Sequence, residues 1–166
     1  MKHNKLILID GITGSGKSTT AHFLARQFAL HQIPAVWFHE EQANHPLNYT
    51  AVDIETMHTA EEALQFMQAY PKLWEQLVQQ IQQDDRIYIL ESYLLQDAVR
   101  PLFQNNLDEA VITDFFQTMV NIITPLQPLL IYFYKDDTEI AIRNLWQKRG
   151  EGWKNWFVDA DEQTPY

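Results

Sequence analysis

The stretch Gly11-Ile12-Thr13-Gly14-Ser15-Gly16-Lys17-Ser18 decides the fold of this chain. It follows an apolar run over residues 5–10 (KLILID), which is typical of a buried strand. After it, residues 21, 24, 25 and 28 are apolar and recur at the spacing of one helix face. The stretch is therefore predicted to be a loop that joins a strand to a helix.

This loop matches the pattern G-x-x-x-x-G-K-[ST], in which the backbone wraps around the phosphates of a nucleotide. Three of the chain's five glycines lie in it, and they allow the backbone to turn its N–H groups inward. The helix that follows presents the positive end of its dipole to the same anion. Lys17 is predicted to reach the terminal phosphates, and Ser18 is predicted to ligate Mg²⁺. The residues predicted to bind the nucleotide are Gly11, Thr13, Gly14, Ser15, Gly16, Lys17, Ser18 and Thr19.

The rest of the chain alternates strand patterns with helix patterns. Further strands are predicted over residues 35–38, 86–90 and 129–134. Helices are predicted from Thr59, where Glu62 completes a capping box, from Pro71, over 108–123 and from Asp137 to Arg149. The apolar face of the 108–123 helix is predicted to bury Val111, Ile112, Phe115, Met119 and Ile122. This alternation predicts a single α/β domain over residues 1–166, a three-layer open parallel sheet with helices on both faces and ligands at the carboxyl ends of its strands.

Composition excludes several classes of protein. The net charge of -10 disfavours nucleic acid as a partner, because phosphate backbones repel an acidic surface. The chain has no cysteine, which excludes disulfides and thiolate sites and is typical of a cytoplasmic protein. No apolar stretch approaches the roughly 20 residues that a membrane helix needs. We expect neither nucleic acid nor a membrane to be a partner.

The pattern around the loop favours a kinase over a GTPase switch. A GTPase normally carries D-x-x-G, and the glycines outside the loop, Gly150 and Gly152, are not preceded by an aspartate at that spacing. The segment 134–137 (YKDD) is similar to the guanine-reading N-K-x-D but lacks its asparagine. ATP is therefore the expected nucleotide, although the sequence does not exclude GTP.

Two segments resemble thymidylate kinases and related nucleotide kinases. Residues 6–28 (LILIDGITGSGKSTTAHFLARQF) resemble the opening of that family, and residues 132–150 (YFYKDDTEIAIRNLWQKRG) resemble its fourth strand and the start of its lid. The resemblance implies a fold of the P-loop kinase type that transfers the ATP γ-phosphoryl group to a small-molecule acceptor, with Mg²⁺ as cofactor.

The resemblance also places a candidate lid over residues 143–157. Four of the chain's twelve lysines and arginines fall within twelve residues there, and phosphoryl transfer needs positive charge over the transferring group. Arg149 is the preferred candidate for contacting phosphate and Arg143 the second, while Gly150 and Gly152 are candidate hinges. The alternative is a basic helix end that complements the helix dipole.

The acidic residues at strand ends have roles in the same families. Glu91, after the third strand, is expected to hold Mg²⁺ through water. The resemblance to deoxynucleoside kinases suggests that Glu40 or Glu41 takes the proton of the acceptor, and the alternative is a solvated pair of glutamates. Both families place an arginine directly after the acid at the third strand, where this chain has Ser92. Arg100 is a candidate to replace that arginine.

Several questions stay open at this level. The acceptor is a nucleotide, a nucleoside, a sugar or an antibiotic. Two rival functions are a nucleoside-triphosphate hydrolase coupled to a partner and a nucleotide-binding sensor without catalysis. The oligomeric state is open, with a homodimer as one option. Related kinases return after the lid with a fifth strand and a closing helix, and residues 158–166 show no pattern for either. Two explanations are open, a C-terminal region missing from this sequence, which is favoured, and a shortened variant. Without a fifth strand, the fourth strand is expected to have an open edge.

Overall fold

A computed structural model describes residues 4–49, 57 and 59–162. The elements in chain order are β1 (Leu6–Gly11), α1 (Lys17–Leu30), β2 (Ala35–Phe38), α2 (Ala60–Gln83), β3 (Ile87–Glu91), α3 (Gln96–Gln104), α4 (Glu109–Ile123), β4 (Leu129–Phe133), α5 (Thr138–Arg149) and α6 (Glu151–Glu162). A short 3-10 turn over Thr124–Leu126 leads into β4.

The four strands form one parallel sheet in the order β2-β3-β1-β4. β1 lies inside the sheet, and all six of its residues are buried, as a continuous apolar run predicts. Ile7 is in register with Ile89 of β3 on one side and with Leu129 of β4 on the other. The predicted α/β class and parallel sheet are confirmed.

Helices cover both faces of the sheet. On one face α1 packs against Ile7, Ile9 and Ile89, with Ala21 buried between them. On the other face the side chains of α2, α3 and α4 pack on Leu6, Leu8, Tyr88 and Leu90. Because successive side chains of a strand point to opposite faces, β1 and β3 supply apolar residues to both layers. The packed layers fix the carboxyl ends of β1, β2 and β3 side by side.

The prediction for α2 is confirmed at its start and wrong at Pro71. Thr59 accepts a hydrogen bond from the Glu62 backbone N–H (3.2 Å), and the Thr59 N–H donates to the Glu62 carboxylate (3.0 Å), which completes the capping box. Pro71 does not begin a second helix, because α2 runs through it without a break. Tyr70 and Trp74 are fully buried on either side of Pro71. Their packing holds the helix together although proline removes one backbone hydrogen bond.

The helices near the carboxyl terminus follow the sequence pattern with two differences. Asp137 caps α5 as predicted, since its carboxylate accepts from the Ile140 N–H at 2.8 Å. The helix over 109–123 is present and buries most of its predicted face, but Val111 is exposed. The predicted lid consists of the end of α5, Gly150 and the start of α6, a helix that periodicity did not reveal.

β4 lies at one edge of the sheet, and its side chains are poorly covered. Leu129, Leu130 and Tyr132 are each about half exposed, at 48%, 47% and 52%. In the described part of the chain, β1 is the strand with which β4 pairs. No helix in the described ranges is long and apolar enough to cross a membrane.

Candidate functional site

The glycine-rich loop connects the carboxyl end of β1 to the amino end of α1. Its three glycines all have positive φ, and Gly16 precedes α1 in a left-handed conformation. A turn closes inside the loop, where the Ser15 N–H donates to the Ile12 carbonyl at 3.1 Å. Position 11 also requires glycine for a steric reason, because a Cβ there would lie 2.6 Å from the Phe133 carbonyl of β4. The strand–loop–helix context predicted from the sequence is the one observed.

Lys17 is buried at the centre of the loop. Its ammonium group donates to the carbonyls of Gly11 (3.0 Å) and Ile12 (3.3 Å) and to the side-chain oxygen of Gln96 (2.8 Å). Burial lowers the pKa of Lys17, and the negative charges of Glu40, Asp10, Asp97 and Glu91 oppose that shift. The lysine is thus a buried amine at the centre of the loop, and an anion bound there would have to replace these hydrogen bonds.

Asp10 ties the loop to α3. Its carboxylate accepts from the backbone N–H groups of Gly11 (2.8 Å), Leu95 (2.7 Å) and Gln96 (3.4 Å). Burial raises the pKa of Asp10, and these hydrogen bonds act in the opposite direction. Asp10 is the last residue of the run over 5–10 that predicts the first strand, but its partners on α3 are distant in sequence and could not be inferred.

The two predicted metal residues lie together. Glu91 is fully buried, and neither carboxylate oxygen has a hydrogen bond of good geometry. Burial raises the pKa of Glu91, while the nearby Ser18 hydroxyl lowers it in part, and His39 Nε2 lies 3.7 Å from one oxygen. A buried carboxylate with unfilled acceptor capacity beside a serine hydroxyl fits a hard cation such as Mg²⁺, which commonly takes only one or two protein ligands. Within the described ranges no group of three or more His, Cys, Asp or Glu side chains is placed to hold a metal ion.

Glu40, and not Glu41, faces the loop. The Ser92 hydroxyl donates to the Glu40 carboxylate, and the Tyr93 hydroxyl donates to the Glu40 carbonyl at 3.0 Å. Glu41 is exposed, and its backbone N–H donates to His39 Nδ1. The sequence pattern could not distinguish these two adjacent glutamates. Contacts between the ends of β2 and β3 determine which of them faces the loop.

Ser92 takes a strained conformation at the end of β3. Its φ is +72°, in the left-handed region that non-glycine residues rarely adopt. Its backbone is held there because the Ser92 N–H donates to the Ile9 carbonyl at 2.9 Å and its carbonyl accepts from the Asp97 N–H at 2.9 Å. Such strain is more frequent at functional sites than elsewhere. The position that the resemblance reserves for an arginine therefore holds a hydroxyl that orients Glu40.

Asp97, in the first turn of α3, was not singled out from the sequence. Burial raises the pKa of its carboxyl to about 7, and the charge of Glu40 acts in the same direction. Arg100 lowers that pKa in part. The signal that could have found Asp97 is its place six residues after Glu91, close to the strand end. Only the turn at Ser92, however, brings it back toward Glu40.

The structure does not bring the two predicted lid arginines to the loop. Arg143 forms an ion pair with Glu139 of its own helix, and the Arg149 guanidinium stacks on the Trp153 ring at 4.9 Å. Both arginines are exposed. The side chains that α5 and α6 turn toward the loop are instead mostly apolar, namely Thr138, Ile142, Leu145 and Trp153. Among the other predicted nucleotide contacts, Thr13 lines a cleft beside the loop and Thr19 is exposed on α1.

Comparison with known proteins finds a distant likeness among solved structures. No protein-family model matches the chain, and no curated protein matches it in sequence. Among solved structures, the chain is similar to a thymidylate kinase from Ehrlichia chaffeensis, with 14% identity and a TM-score of 0.42. The alignment covers 87% of this chain and 97% of that one. A likeness this distant leaves the function to be argued from the site itself.

Proposed function

We propose that this chain is an ATP- and Mg²⁺-dependent kinase that transfers the γ-phosphoryl group to a small-molecule acceptor. The observation that carries the proposal is the loop between β1 and α1, with a buried lysine at its centre and the Ser18–Glu91 pair beside it. Backbone N–H groups at a helix N-terminus, together with one ammonium group, form a site suited to polyphosphate.

Each residue of the site has a task in this reaction. Lys17 neutralises negative charge on the terminal phosphates, in exchange for its hydrogen bonds to Gln96 and the loop carbonyls. Ser18 and Glu91 would hold Mg²⁺, which supplies further positive charge on the phosphates when bound. Catalysis of this type is mainly positioning and charge stabilisation, because the transferring group needs little covalent assistance.

Glu40 is the proposed general base. A carboxylate suits an acceptor hydroxyl, whose proton must leave as the new O–P bond forms. The hydrogen bond from Ser92 fixes one Glu40 oxygen and leaves the other for the acceptor. Arg149 and Arg143 remain candidates for phosphate contact, which would require their present partners, Trp153 and Glu139, to be released.

Lys17→Ala tests the nucleotide site. We expect ATP·Mg²⁺ binding, measured by calorimetry, to fall at least tenfold, with an unchanged far-ultraviolet circular dichroism spectrum. The wild type should release ADP when a hydroxyl acceptor is present. Wild-type turnover by Lys17→Ala would end the assignment.

Glu40→Gln and its neighbour Glu41→Gln form a matched pair. The first should lower kcat by about 100-fold or more, as loss of a general base does. The second removes the same charge from an exposed side chain and should change kcat less than about twofold. Equal kcat values for the two variants would remove Glu40 as the base.

Two rival functions have distinct signatures in the same assay. A hydrolase coupled to a partner would release ADP at a rate independent of any acceptor. A sensor would bind ATP tightly and release no ADP. The engagement of Arg143 and Arg149 away from the loop is the observation that favours the sensor.

A further inference from the structure

The Glu91 carboxylate is approached by side chains from two elements, α1 and the end of β2. Trp37 of β2 is in register with Ile89 of β3, two residues before Glu91, and both pack in the layer beneath α1. Side chains two residues apart on a strand share a face, so Glu91 points toward α1 as well. Ser18 reaches the carboxylate from the first turn of α1, while Trp37 and His39 reach it from β2 and the residue that follows it.

Trp37 presents a buried N–H to this carboxylate. Its indole nitrogen is shielded from solvent and makes no hydrogen bond of good geometry within the described ranges, and the same holds for both Glu91 oxygens. Burial raises the pKa of Glu91, and the Ser18 hydroxyl and the Trp37 N–H are among the groups that lower it in part. A buried donor and a buried acceptor therefore lie near each other, although such groups are nearly always paired in folded proteins.

His39 directs a second N–H toward the same carboxylate. Its Nδ1 accepts from the Glu41 backbone N–H at 3.1 Å, so the hydrogen of the neutral ring lies on Nε2. Nε2 is 3.7 Å from the nearer Glu91 oxygen. The His39 ring also packs edge-on against the Trp37 ring, with 5.6 Å between their centroids. The two nitrogen donors thus form one unit beside Glu91, held by the Glu41 backbone and by each other.

We propose that Trp37 and His39 are positioning residues whose N–H groups hold the Glu91 carboxylate in the orientation in which it binds Mg²⁺ together with Ser18. The inference rests on the proposed function, because it takes Ser18 and Glu91 as the metal pair. A carboxylate has about four lone-pair positions. Donors on the β2 side fill some of them and leave others for a cation beside Ser18. A carboxylate that is already oriented loses less freedom when a metal binds, so removal of its partners weakens metal affinity.

The test measures how strongly Mg²⁺ enhances nucleotide binding by the full chain. The non-hydrolysable analogue AMP-PNP is titrated by calorimetry with Mg²⁺ and again with EDTA, and the ratio of the two affinities is the enhancement. Trp37→Phe and His39→Leu should each lower the enhancement by at least about fivefold, because each removes one partner of Glu91. The affinity measured in EDTA should stay within about twofold of wild type, because neither change touches the loop. His39→Gln restores an N–H on a side chain of similar reach and should recover part of the loss.

Two matched controls separate this role from general packing. Trp74→Phe removes a buried indole from the opposite layer, and His22→Leu removes an exposed histidine whose ring lies 5.7 Å from that of Trp37. Both should keep the enhancement within about twofold of wild type, even where Trp74→Phe lowers the melting temperature. His39 is partly exposed, so its variants keep the inference testable if Trp37→Phe proves unstable.

A double-mutant cycle with Glu91→Gln completes the test. If Trp37 and His39 act through Glu91, adding Trp37→Phe or His39→Leu to Glu91→Gln should lower the enhancement no further. The inference is overturned if His39→Leu or a folded Trp37→Phe keeps the wild-type enhancement, or if either lowers it as much in the Glu91→Gln background as in wild type. Failure of the proposed function appears separately, in wild type, as absence of AMP-PNP binding or of any enhancement by Mg²⁺, and it would overturn the inference too.

Discussion

Replacing Asp97 with asparagine is expected to stabilise the folded protein at pH 8. Burial raises the pKa of the Asp97 carboxyl from 3.8 to about 7, so the folded state binds this proton more tightly than the unfolded chain does. Between these two pKa values the folded state holds more protons than the unfolded state. The free energy of unfolding therefore falls as pH rises from about 4 to about 7, and the full cost is present at pH 8.

The size of the effect follows from that rise in pKa. At about 1.4 kcal/mol for each pH unit, it corresponds to a ceiling of about 4 kcal/mol. Two effects reduce it. First, part of the Asp97 side chain is exposed to solvent. Second, a carboxylate in the first turn of α3 gains roughly 0.3 to 1 kcal/mol from the helix dipole, and asparagine loses this gain. We expect Asp97→Asn to raise the free energy of unfolding by about 1 to 3 kcal/mol at pH 8, within that ceiling.

Urea denaturation at several pH values measures this effect. The difference between variant and wild type should be about half as large at pH 5.5 as at pH 8, because that pH lies midway between the two pKa values. Asp114→Asn, at an exposed position on α4, is the control and should change stability by less than about 0.5 kcal/mol at either pH. A variant no more stable than the wild type at pH 8, or a difference that does not grow with pH, would refute the argument from burial.

Two further substitutions test the loop and the metal pair. Gly11→Ala should lower the free energy of unfolding by at least about 2 kcal/mol and weaken ATP binding, because its Cβ would lie 2.6 Å from the Phe133 carbonyl at a φ of +136°. Thermal melts measure the stability and calorimetry measures the binding. A melting temperature equal to that of the wild type would contradict the steric reasoning. Glu91→Gln removes a buried carboxylate whose pKa burial raises, so it should stabilise the protein at neutral pH while it reduces the Mg²⁺ enhancement of ATP affinity by about tenfold or more. An ATP affinity that depends on Mg²⁺ as strongly as in the wild type would exclude Glu91 as a metal residue.

Local sequence patterns predicted the helices and strands because these patterns depend on interactions between residues that are close in the chain. Residues 6–9, between Lys5 and Asp10, are all apolar, so they suit the interior of a sheet. Thr59 with Glu62, and Asp137 before α5, satisfy free N–H groups of their own helix and can be read without any distant contact. Pro71 shows the limit of this reading, because local propensity was overruled by the burial of Tyr70 and Trp74.

The candidate site could be predicted only in part. The loop from Gly11 to Ser18 is contiguous, so its residues and the ligand predicted for them follow from one pattern. Glu40 and Glu41 could not be distinguished, since the hydrogen bond from Ser92 crosses between strands that are far apart in the chain. The lid arginines were expected at the loop because positive charge is needed there, but pairing within α5 and α6 turned them elsewhere.

The amino-acid order alone implies that a glycine-rich, lysine-bearing loop joins a buried strand to a helix, because glycine spacing and apolar periodicity are properties of neighbouring residues. Which acids and cations surround that loop depends on how the helices and strands pack. Parallel strands bring Glu40, Glu91 and the turn after β3 to one edge of the sheet, and α3 adds Asp97 and Arg100 near that edge. Charge and burial at a point in space depend on every element that packs there, and no single segment of the chain contains that information.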